Sequence, residues 1–485
     1  MSAFISDRTT GLAGGSAAVS LGETQVAAEH SADIVIVGAG VTGCAAAVAL
    51  ADGRRRILVL EARNHHKPRF AGELIHPTGA QVLDDLGFLP TLRRHGGIDV
   101  SGFAVVPSVD DPSLRLPYRE IPNNRPTGFA MEHRDLVDGM REVLRQTPGV
   151  EVRMGHKVDE ILRDARGRVC GVRCADQRVS ARLVLGCDGR HSKVRPLLGL
   201  SEQARLLSFS VAFRLPGGAP LLPNPSYGHI VLGAWGPMLL YPIGGRDGAQ
   251  DARGCFDVSS ELSGGPRGAA ELLRRQYAPH LPLRLRQAML DSLDRELPQI
   301  AANEAIRTDR AVLPGAAIVG DAGGCSHPLT AAGMTVGFTD AQRLGRLLAE
   351  QGRLHDPSAV DAVLHRYEVE RYRFVRAREV LADALYEVFR GAEPGTRALR
   401  SGILRYWQGS EQARARSMAL LSGADSRLSV FLREYLTVIS KSSAAAWAAR
   451  DERRAAFVGL GKKSVEKMRA VFRDVRQEAT RSLSA

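Results

Sequence analysis

The apolar run Ile34-Val35-Ile36-Val37 is followed at once by Gly38-Ala39-Gly40-Val41-Thr42-Gly43 and then by Cys44-Ala45-Ala46-Ala47-Val48-Ala49-Leu50. Four apolar residues in a row suit a short parallel strand buried on both faces, and the alanine-rich stretch suits a helix. The glycines between them predict a tight strand-to-helix turn. Gly38 permits the turn, Gly40 lets backbone N–H groups approach a pyrophosphate, and Gly43 allows close helix–strand packing. Val41 and Thr42 open the helix, whose N-terminus favours phosphate charge. A second apolar run, Ile57-Leu58-Val59-Leu60, ends at Glu61, about 20 residues on, where an acid binds ribose hydroxyls. Such glycines also occur in βα turns that hold no ligand. The strand before them, the helix after them and the acid at this distance together read as a dinucleotide site. The acid disfavours a 2′-phosphate, so FAD or NAD fits better than NADP.

Beyond residue 63 the texture changes several times. Residues 64–130 are punctuated by Pro and Gly and include Arg69-Phe70-Ala71-Gly72-Glu73-Leu74-Ile75-His76-Pro77. Leu136, Val137, Met140, Val143 and Leu144 recur at helical spacing, and Val150-Glu151-Val152 reads as the next strand. A hairpin turning at Asp164-Ala165-Arg166-Gly167 leads to the buried strand Leu183-Val184-Leu185 and to Cys187-Asp188-Gly189. From about 200 to 310, segments such as Ser208-Phe209-Ser210-Val211-Ala212-Phe213 and His229-Ile230-Val231-Leu232 predict an antiparallel sheet. Ala316-Ala317-Ile318-Val319 is one more buried strand, and from Ala341 onward the pattern is almost continuously helical. The fold class predicted is α/β. A Rossmann-like nucleotide-binding domain occupies 31–200 and 311–350, an antiparallel-sheet substrate domain 201–310 and a helical C-terminal region 351–485, behind a disordered leader, 1–30.

A chain of 485 residues can bury a large core. Residues 1–30 are rich in Gly, Ala, Ser and Thr and lack a basic segment followed by an apolar core, so they read as a leader and not as a signal peptide. No apolar stretch reaches the roughly 18–20 residues of a membrane-spanning helix. Cys44, Cys170, Cys174, Cys187, Cys255 and Cys325 have no zinc-type spacing, which points to free thiols in a reduced, cytoplasmic setting and to no metal. The net charge of +12 comes mainly from arginine; with aromatics at only 5% and no basic stripe interleaved with them, it does not read as nucleic-acid binding. Near the C-terminus Val465, Met468, Phe472 and Val475 recur at helical spacing in a basic stretch. An amphipathic helix of that kind can lie on an anionic membrane surface, making the protein peripheral, or can cap the domain.

Four further stretches are more specific. They are Gly72-Glu73-Leu74-Ile75-His76-Pro77-Thr78-Gly79 with Leu83-Asp84-Asp85-Leu86-Gly87; Glu132-His133-Arg134; Asp188-Gly189-Arg190-His191-Ser192-Lys193-Val194-Arg195; and Gly320-Asp321-Ala322 with His327-Pro328-Leu329-Thr330-Ala331-Ala332-Gly333-Met334-Thr335-Val336. Together they resemble the FAD-dependent monooxygenases of the para-hydroxybenzoate hydroxylase fold, and among these the squalene monooxygenase (squalene epoxidase) family. That family has G-E-x-x-Q-P-G-G…L-x-x-L-G-L, H-H-G-R, D-G-x-x-S-x-x-R, and G-D-A with H-P-L-T-x-x-G-M-T-V. Leu381-Ala382-Asp383-Ala384-Leu385-Tyr386-Glu387-Val388-Phe389 and Leu420-Leu421-Ser422-Gly423 are similar to its C-terminal stretches. The resemblance runs from about residue 33 to 440 and is weakest in the sheet.

The resemblance implies FAD held at its adenosine end by Glu61, Ala62, Arg63 and Arg69, with Glu73, Arg134 and the backbone near Lys157 or Val158 also in contact. Asp188 would bridge to the flavin side, although Asp188-Gly189 alone also suits a tight turn. Gly320 and Asp321 would take the ribityl or pyrophosphate end, with Pro328, Gly333 and Met334 beside the isoalloxazine ring. A helix starting after Pro328 aims N–H groups at the edge of the ring that holds negative charge when reduced.

Two positions depart from the family. His76 stands where it has Gln, and Phe103 where it has a Tyr placed to reach that Gln. Both positions flank the flavin and the substrate pocket in the family, which points away from squalene and toward a specialised metabolite. His76 can be a proton donor, a substrate contact or a satisfied, space-filling histidine. The implied activity is insertion of one O₂-derived oxygen into an apolar, electron-rich alkene or aromatic ring of an isoprenoid, prenylated aromatic or polyketide-like compound, by epoxidation or hydroxylation through a flavin hydroperoxide. NAD(P)H would supply electrons directly or through a separate reductase. Two other readings share these segments: a flavin-dependent prenyl-chain reductase, against which the H-P-L-T-x-x-G-M-T-V run argues, and a non-catalytic flavin-binding partner protein. A flavin halogenase would need a W-x-W-x-I-P motif, which none of Trp235, Trp407 and Trp447 provides.

Overall fold

The computed structural model describes residues 29–65, 73–106, 113–232, 236–245, 248–258, 262–352, 354–391, 393–448 and 452–483. Its nucleotide-binding part is a six-stranded sheet in the order Val312–Leu313, Ala316–Ile318, Leu183–Gly186, Ile34–Val37, Ile57–Glu61, Val150–Met154. All neighbours are parallel except the edge strand Val312–Leu313. Alternate side chains of Ile34–Val37 enter two cores. Ile34 and Ile36 pack under helices, while Val35 and Val37 pack with Val172 and Val179 of a four-stranded sheet. A strand covered on both faces has no polar position, which is why the run is unbroken.

Three strands end at one level. Val37, Gly186 and Ile318 are register partners across neighbouring strands, so Gly38, Cys187 and Val319 leave the sheet side by side at its carboxyl edge, where ligands bind in open α/β sheets. Gly38 turns there with φ +106°, and a Cβ on it would fall 2.7 Å from the Cys187 carbonyl oxygen. Helix α1 (Val41–Leu50) follows directly, α2 is Pro77–Asp85, α3 is His133–Gln146 and α4 is Gly333–Gln351. The Thr42 side chain fills the space left by the bare Gly320 and Gly337, so it knits α1 to α4.

A second sheet runs Gln299–Thr308, Glu202–Leu215, Gln250–Val258, Met238–Gly244, Tyr227–Val231, Gly102–Val106, Leu114–Pro117. It is antiparallel except where Tyr227–Val231 meets Gly102–Val106 in parallel. Two of its strands therefore come from the Pro- and Gly-punctuated stretch before residue 130. Within the stretch read as a leader, residues 1–28 lie outside the described residues. Glu29 and His30 join Ser31 in a strand parallel to Gln177–Ser180. All six cysteines are unpaired.

Five helices complete the chain: α5 (Pro357–Arg390), α6 (Pro394–Gly409), α7 (Glu411–Ser422), α8 (Leu428–Ala448) and α9 (Arg453–Leu483). With 34 residues, α5 is about 50 Å long. Its first half sends Val360, Val363 and Tyr367 into the nucleotide core, and its second half sends Leu381, Val388 and Phe389 into the cores shared with the later helices. Helix α9 docks through Ala456, Leu460, Ser464 and Val471, whereas Val465 and Phe472 of the periodic set are exposed. The two helices cross closely where α6 and α9 each present a bare glycine, Gly395 and Gly459. Among the described residues no helix is long and apolar enough to cross a membrane.

The joint between α4, α5 and the sheet is a buried ion pair. Asp340 Oδ2 accepts from the Gly320 N–H (3.1 Å) and from Arg371 Nε (2.9 Å), while Arg371 Nη2 donates to the Gly320 carbonyl (3.0 Å). Asp340→Ala leaves the Arg371 cation buried and unpaired, and should cost about 3–5 kcal/mol in denaturant unfolding. The double variant Asp340→Leu, Arg371→Met is expected to be more stable than either single variant.

Candidate active site

The carboxyl edge of the nucleotide sheet gathers the first group of side chains. Glu61, at the end of its strand, accepts from the Ala39 N–H (3.0 Å) and the Arg63 N–H (3.1 Å). Arg141 of α3 donates Nε to the Ala39 carbonyl (2.8 Å), and its Nη2 stands 3.6 Å from Glu61 Oε2. The glycine turn is thus gripped by an acid from the sheet and a base from a helix. Nothing lies within 4 Å of a Cβ built on Gly40, so the turn is open above the first N–H groups of α1. Ala62 and Arg63 are exposed beside it, Arg69 lies outside the described residues, and the segment before the buried Val158 is tied in by His156 N–H to the Glu61 carbonyl (2.9 Å).

Asp188 and Asp321 stand further along the same edge. Asp188 Oδ2 accepts from the N–H groups of Lys193 (2.6 Å) and Val194 (3.1 Å), while its buried Oδ1 has no hydrogen-bond partner among the described residues. Asp321 faces the start of α4, where a Cβ on the exposed Gly333 would come 3.3 Å from Asp321 Oδ1. Met334 follows, half-buried. The Pro328–Thr330 turn and Ala331, in the left-handed region at φ +48°, lead into that helix start.

Two histidines hold this loop from outside. His76 is fully buried; its Nε2 lies 2.7 Å from the Thr330 carbonyl and its Nδ1 2.8 Å from the Tyr118 hydroxyl. A carbonyl only accepts, so Nε2 carries the proton and Tyr118 donates to Nδ1. Burial pushes the His76 pKa down to about 4, and the Arg378 cation works in the same direction. His76 is therefore neutral and hydrogen-bonded at both ring nitrogens. Phe103 packs on both rings, with centroids 6.0 Å from His76 and 6.1 Å from Tyr118. His327 accepts at Nδ1 from the Leu329 N–H (3.1 Å), and its Nε2 faces Ser208 Oγ (3.0 Å) and Asp257 Oδ1 (3.2 Å) in the sheet.

Some expected contacts lie elsewhere. Both oxygens of Glu73 are taken by Arg253 (2.9 and 2.7 Å), with the Tyr241 hydroxyl at 3.0 Å, in a buried link to the sheet. Arg134 is exposed on α3, with Asp138 at 3.9 Å. Arg141, Arg253 and Tyr118 were not singled out in the sequence. Arg141 alone left a signal there, an arginine inside the buried stripe Val137, Met140, Leu144.

Beyond Phe103 and Leu329 a cavity of about 940 Å³, counting its open mouth, runs between the sheet and helices α5–α8. Its walls are apolar over most of their extent, with Leu116, Leu385, Phe389 and Met418 among them.

Residues 180–451 match the family described as squalene epoxidase, more than half of the chain, and residues 36–94 match NAD(P)-binding Rossmann-like domains. The chain belongs to the squalene epoxidase family. It is 31% identical over 392 residues to the squalene epoxidase of Aspergillus fumigatus, covering 78% of this chain and 79% of that protein. It is 28% identical over 420 residues to the squalene monooxygenase of Mus musculus, covering 84% and 70%. Two solved structures share the fold: PqsL of Pseudomonas aeruginosa (24% identity, TM-score 0.64, 74% of this chain and 97% of that one) and the p-nitrophenol 4-monooxygenase of Pseudomonas putida (20%, 0.64, 84% and 99%). The epoxidase-family chain is an FAD-dependent monooxygenase. Its residues suit FAD: two helix N-termini for anionic groups, Glu61 for ribose hydroxyls, and Asp321 together with the unsatisfied Asp188 Oδ1 for further hydroxyls.

The His76 pKa sets a sign for pH dependence. The unfolded chain takes up this proton near the ordinary 6.5, the folded protein only near 4. Stability from this site is complete above about pH 6.5 and is lost as pH falls toward about 4, by about 3 kcal/mol in all. His76→Gln keeps a donor for Thr330 and an acceptor for Tyr118, and should remove that part of the fall when urea unfolding at about pH 7 and about pH 4.5 is compared. His229, also held at about 4, titrates in both proteins and cancels in the difference.

Proposed function

We propose that this chain uses FAD, reduced by NAD(P)H directly or through a separate reductase, to place one O₂-derived oxygen on an alkene or aromatic ring of an apolar specialised metabolite. The observation that carries the reading is the apolar cavity that begins at Phe103 and Leu329, next to the loop leading to Gly333 and Met334. FAD supplies the oxygen activation; the chain's own residues do the rest. Glu61, Gly40, Asp188 and Asp321 would hold the cofactor, with Gly333 and Met334 beside its ring. Helix α4 opens at Gly333, and its N-terminal N–H groups favour an anion there. His76 holds the Thr330 carbonyl and moves no proton, since its own proton is committed to that bond. Leu329 and Phe103 keep water from the reacting carbon.

The replacement of the family's Gln and Tyr by His76 and Phe103 reshapes the wall nearest the loop, which favours a substrate other than squalene. Exposed Phe457, Val458, Val465 and Phe472 on the basic C-terminal helix, with Trp447 at the end of α8, suit peripheral contact with an anionic membrane surface.

With NAD(P)H or an added flavin reductase and labelled O₂, the FAD-loaded protein should consume oxygen in step with substrate and put one labelled atom in the product. A saturated product formed without oxygen uptake would instead mark a reductase. Phe103→Trp, which crowds the cavity, should raise KM on the order of tenfold while FAD content stays unchanged. The full chain should co-sediment with phosphatidylserine vesicles, less so after Phe472→Asp.

A further inference from the structure

The polar residues of the apolar cavity lie on its helical wall and not on the wall formed by Phe103 and Leu329, and one of them, Ser417, is taken by Trp407 Nε1 (2.9 Å). Glu434 of α8 lines the cavity and is only 6% exposed. The Tyr406 hydroxyl donates to Glu434 Oε2, and the guanidinium groups of Arg416 (2.9 Å) and Arg433 (3.3 Å) reach Oε1. Tyr406 and Arg433 donate hydrogen bonds and Arg416 Nε makes only an ion pair, where a carboxylate accepts about four. The next residue, Tyr435, also lines the cavity; it is 8% exposed, and its buried hydroxyl has no hydrogen-bond partner among the described residues. Burial pushes the Glu434 acid up, and an unpaired hydroxyl in an apolar wall is costly. Neither group helps to bind a pure hydrocarbon.

A substrate hydroxyl answers both needs, since it donates to a carboxylate and accepts from a phenol. We propose that Glu434 and Tyr435 form a receptor for a hydroxyl group. The substrate is then an alkene or aromatic chain carrying one alcohol or phenol, which lies against the helical wall while the carbon to be oxygenated lies against Phe103 and Leu329. Glu434 is the specificity-determining residue. A substrate that lacks the hydroxyl leaves the receptor unsatisfied, and such sites reject the lacking analogue by about tenfold or more. Turnover of the bound alcohol rests on the monooxygenase reading, so binding and turnover are measured separately.

The full-length, FAD-loaded protein is titrated with geraniol, farnesol and geranylgeraniol, and with the hydrocarbon that differs from each only by loss of the hydroxyl. Dissociation constants come from the flavin absorbance change and from quenching of tryptophan fluorescence, since Trp407 lines the cavity. The wild-type protein should bind at least one alcohol about tenfold or more tighter than its hydrocarbon. Glu434→Leu should abolish that preference by weakening the alcohol, and Glu434→Gln, which keeps an accepting oxygen, should retain part of it. Tyr435→Phe removes a hydroxyl that holds nothing in the fold, so it should weaken the alcohol with no loss of Tm, and it carries the test if Glu434→Leu does not fold. No preference for any alcohol in the wild type, or a preference intact in folded Glu434→Leu or in Tyr435→Phe, overturns the receptor. A preference with no oxygenated product from any ligand leaves the receptor standing and overturns the proposal that these alcohols are the substrates oxygenated.

Discussion

The pair Asp340–Arg371 holds both backbone groups of Gly320, and much of the molecule is positioned by it. Gly320 leaves the sheet beside Gly38 and Cys187, so the clamp decides where Asp321 stands relative to the glycine turn. It also joins α4, which opens at Gly333, to α5, which walls the cavity 10 residues and more beyond Arg371. A buried pair of this kind adds little net stability over apolar residues of the same shape. Its worth lies in geometry: one contact sets the nucleotide edge, the loop and the cavity wall in common.

That loop is suspended from two sides. His76 reaches Thr330 from the head of α2, and His327 takes the Leu329 N–H while facing Ser208 and Asp257 in the sheet. Neighbouring residues of one turn are thus fixed to two different parts of the fold. The neutral state of His76 comes from its burial, with the Arg378 cation acting in the same direction and the bond to Thr330 against it.

The three glycine segments, the strands they follow and the family resemblance were legible in the sequence because each is local: a run of apolar residues, a turn and a helix start within a dozen positions. What was not legible depends on partners far along the chain. Glu73 meets Arg253, 180 residues away, and His76 meets Thr330, 254 residues away. The parallel pairing of Gly102–Val106 with Tyr227–Val231 leaves no periodic trace that differs from an antiparallel one, so two strands of the sheet went unassigned to it. Tyr118 sits after a Pro in a stretch that reads as loop. On α9 the spacing of Val465, Met468, Phe472 and Val475 marked an amphipathic helix but not which face docks; Ala456, Leu460, Ser464 and Val471 dock, and Val465 and Phe472 are exposed.

Helix α5 has a consequence for motion. Over its 34 residues it has no Gly and only its first residue is Pro, and it is built into the nucleotide core at one end and the cavity wall at the other. Swinging the cavity away from the cofactor edge would mean breaking a continuous helix. The joints after it are cheaper to bend: Gly391, the single residue Ser410 between α6 and α7, and Gly423 at φ +90°. The cofactor edge and the cavity wall therefore share one continuous rod, and the joints that bend cheaply all lie beyond it.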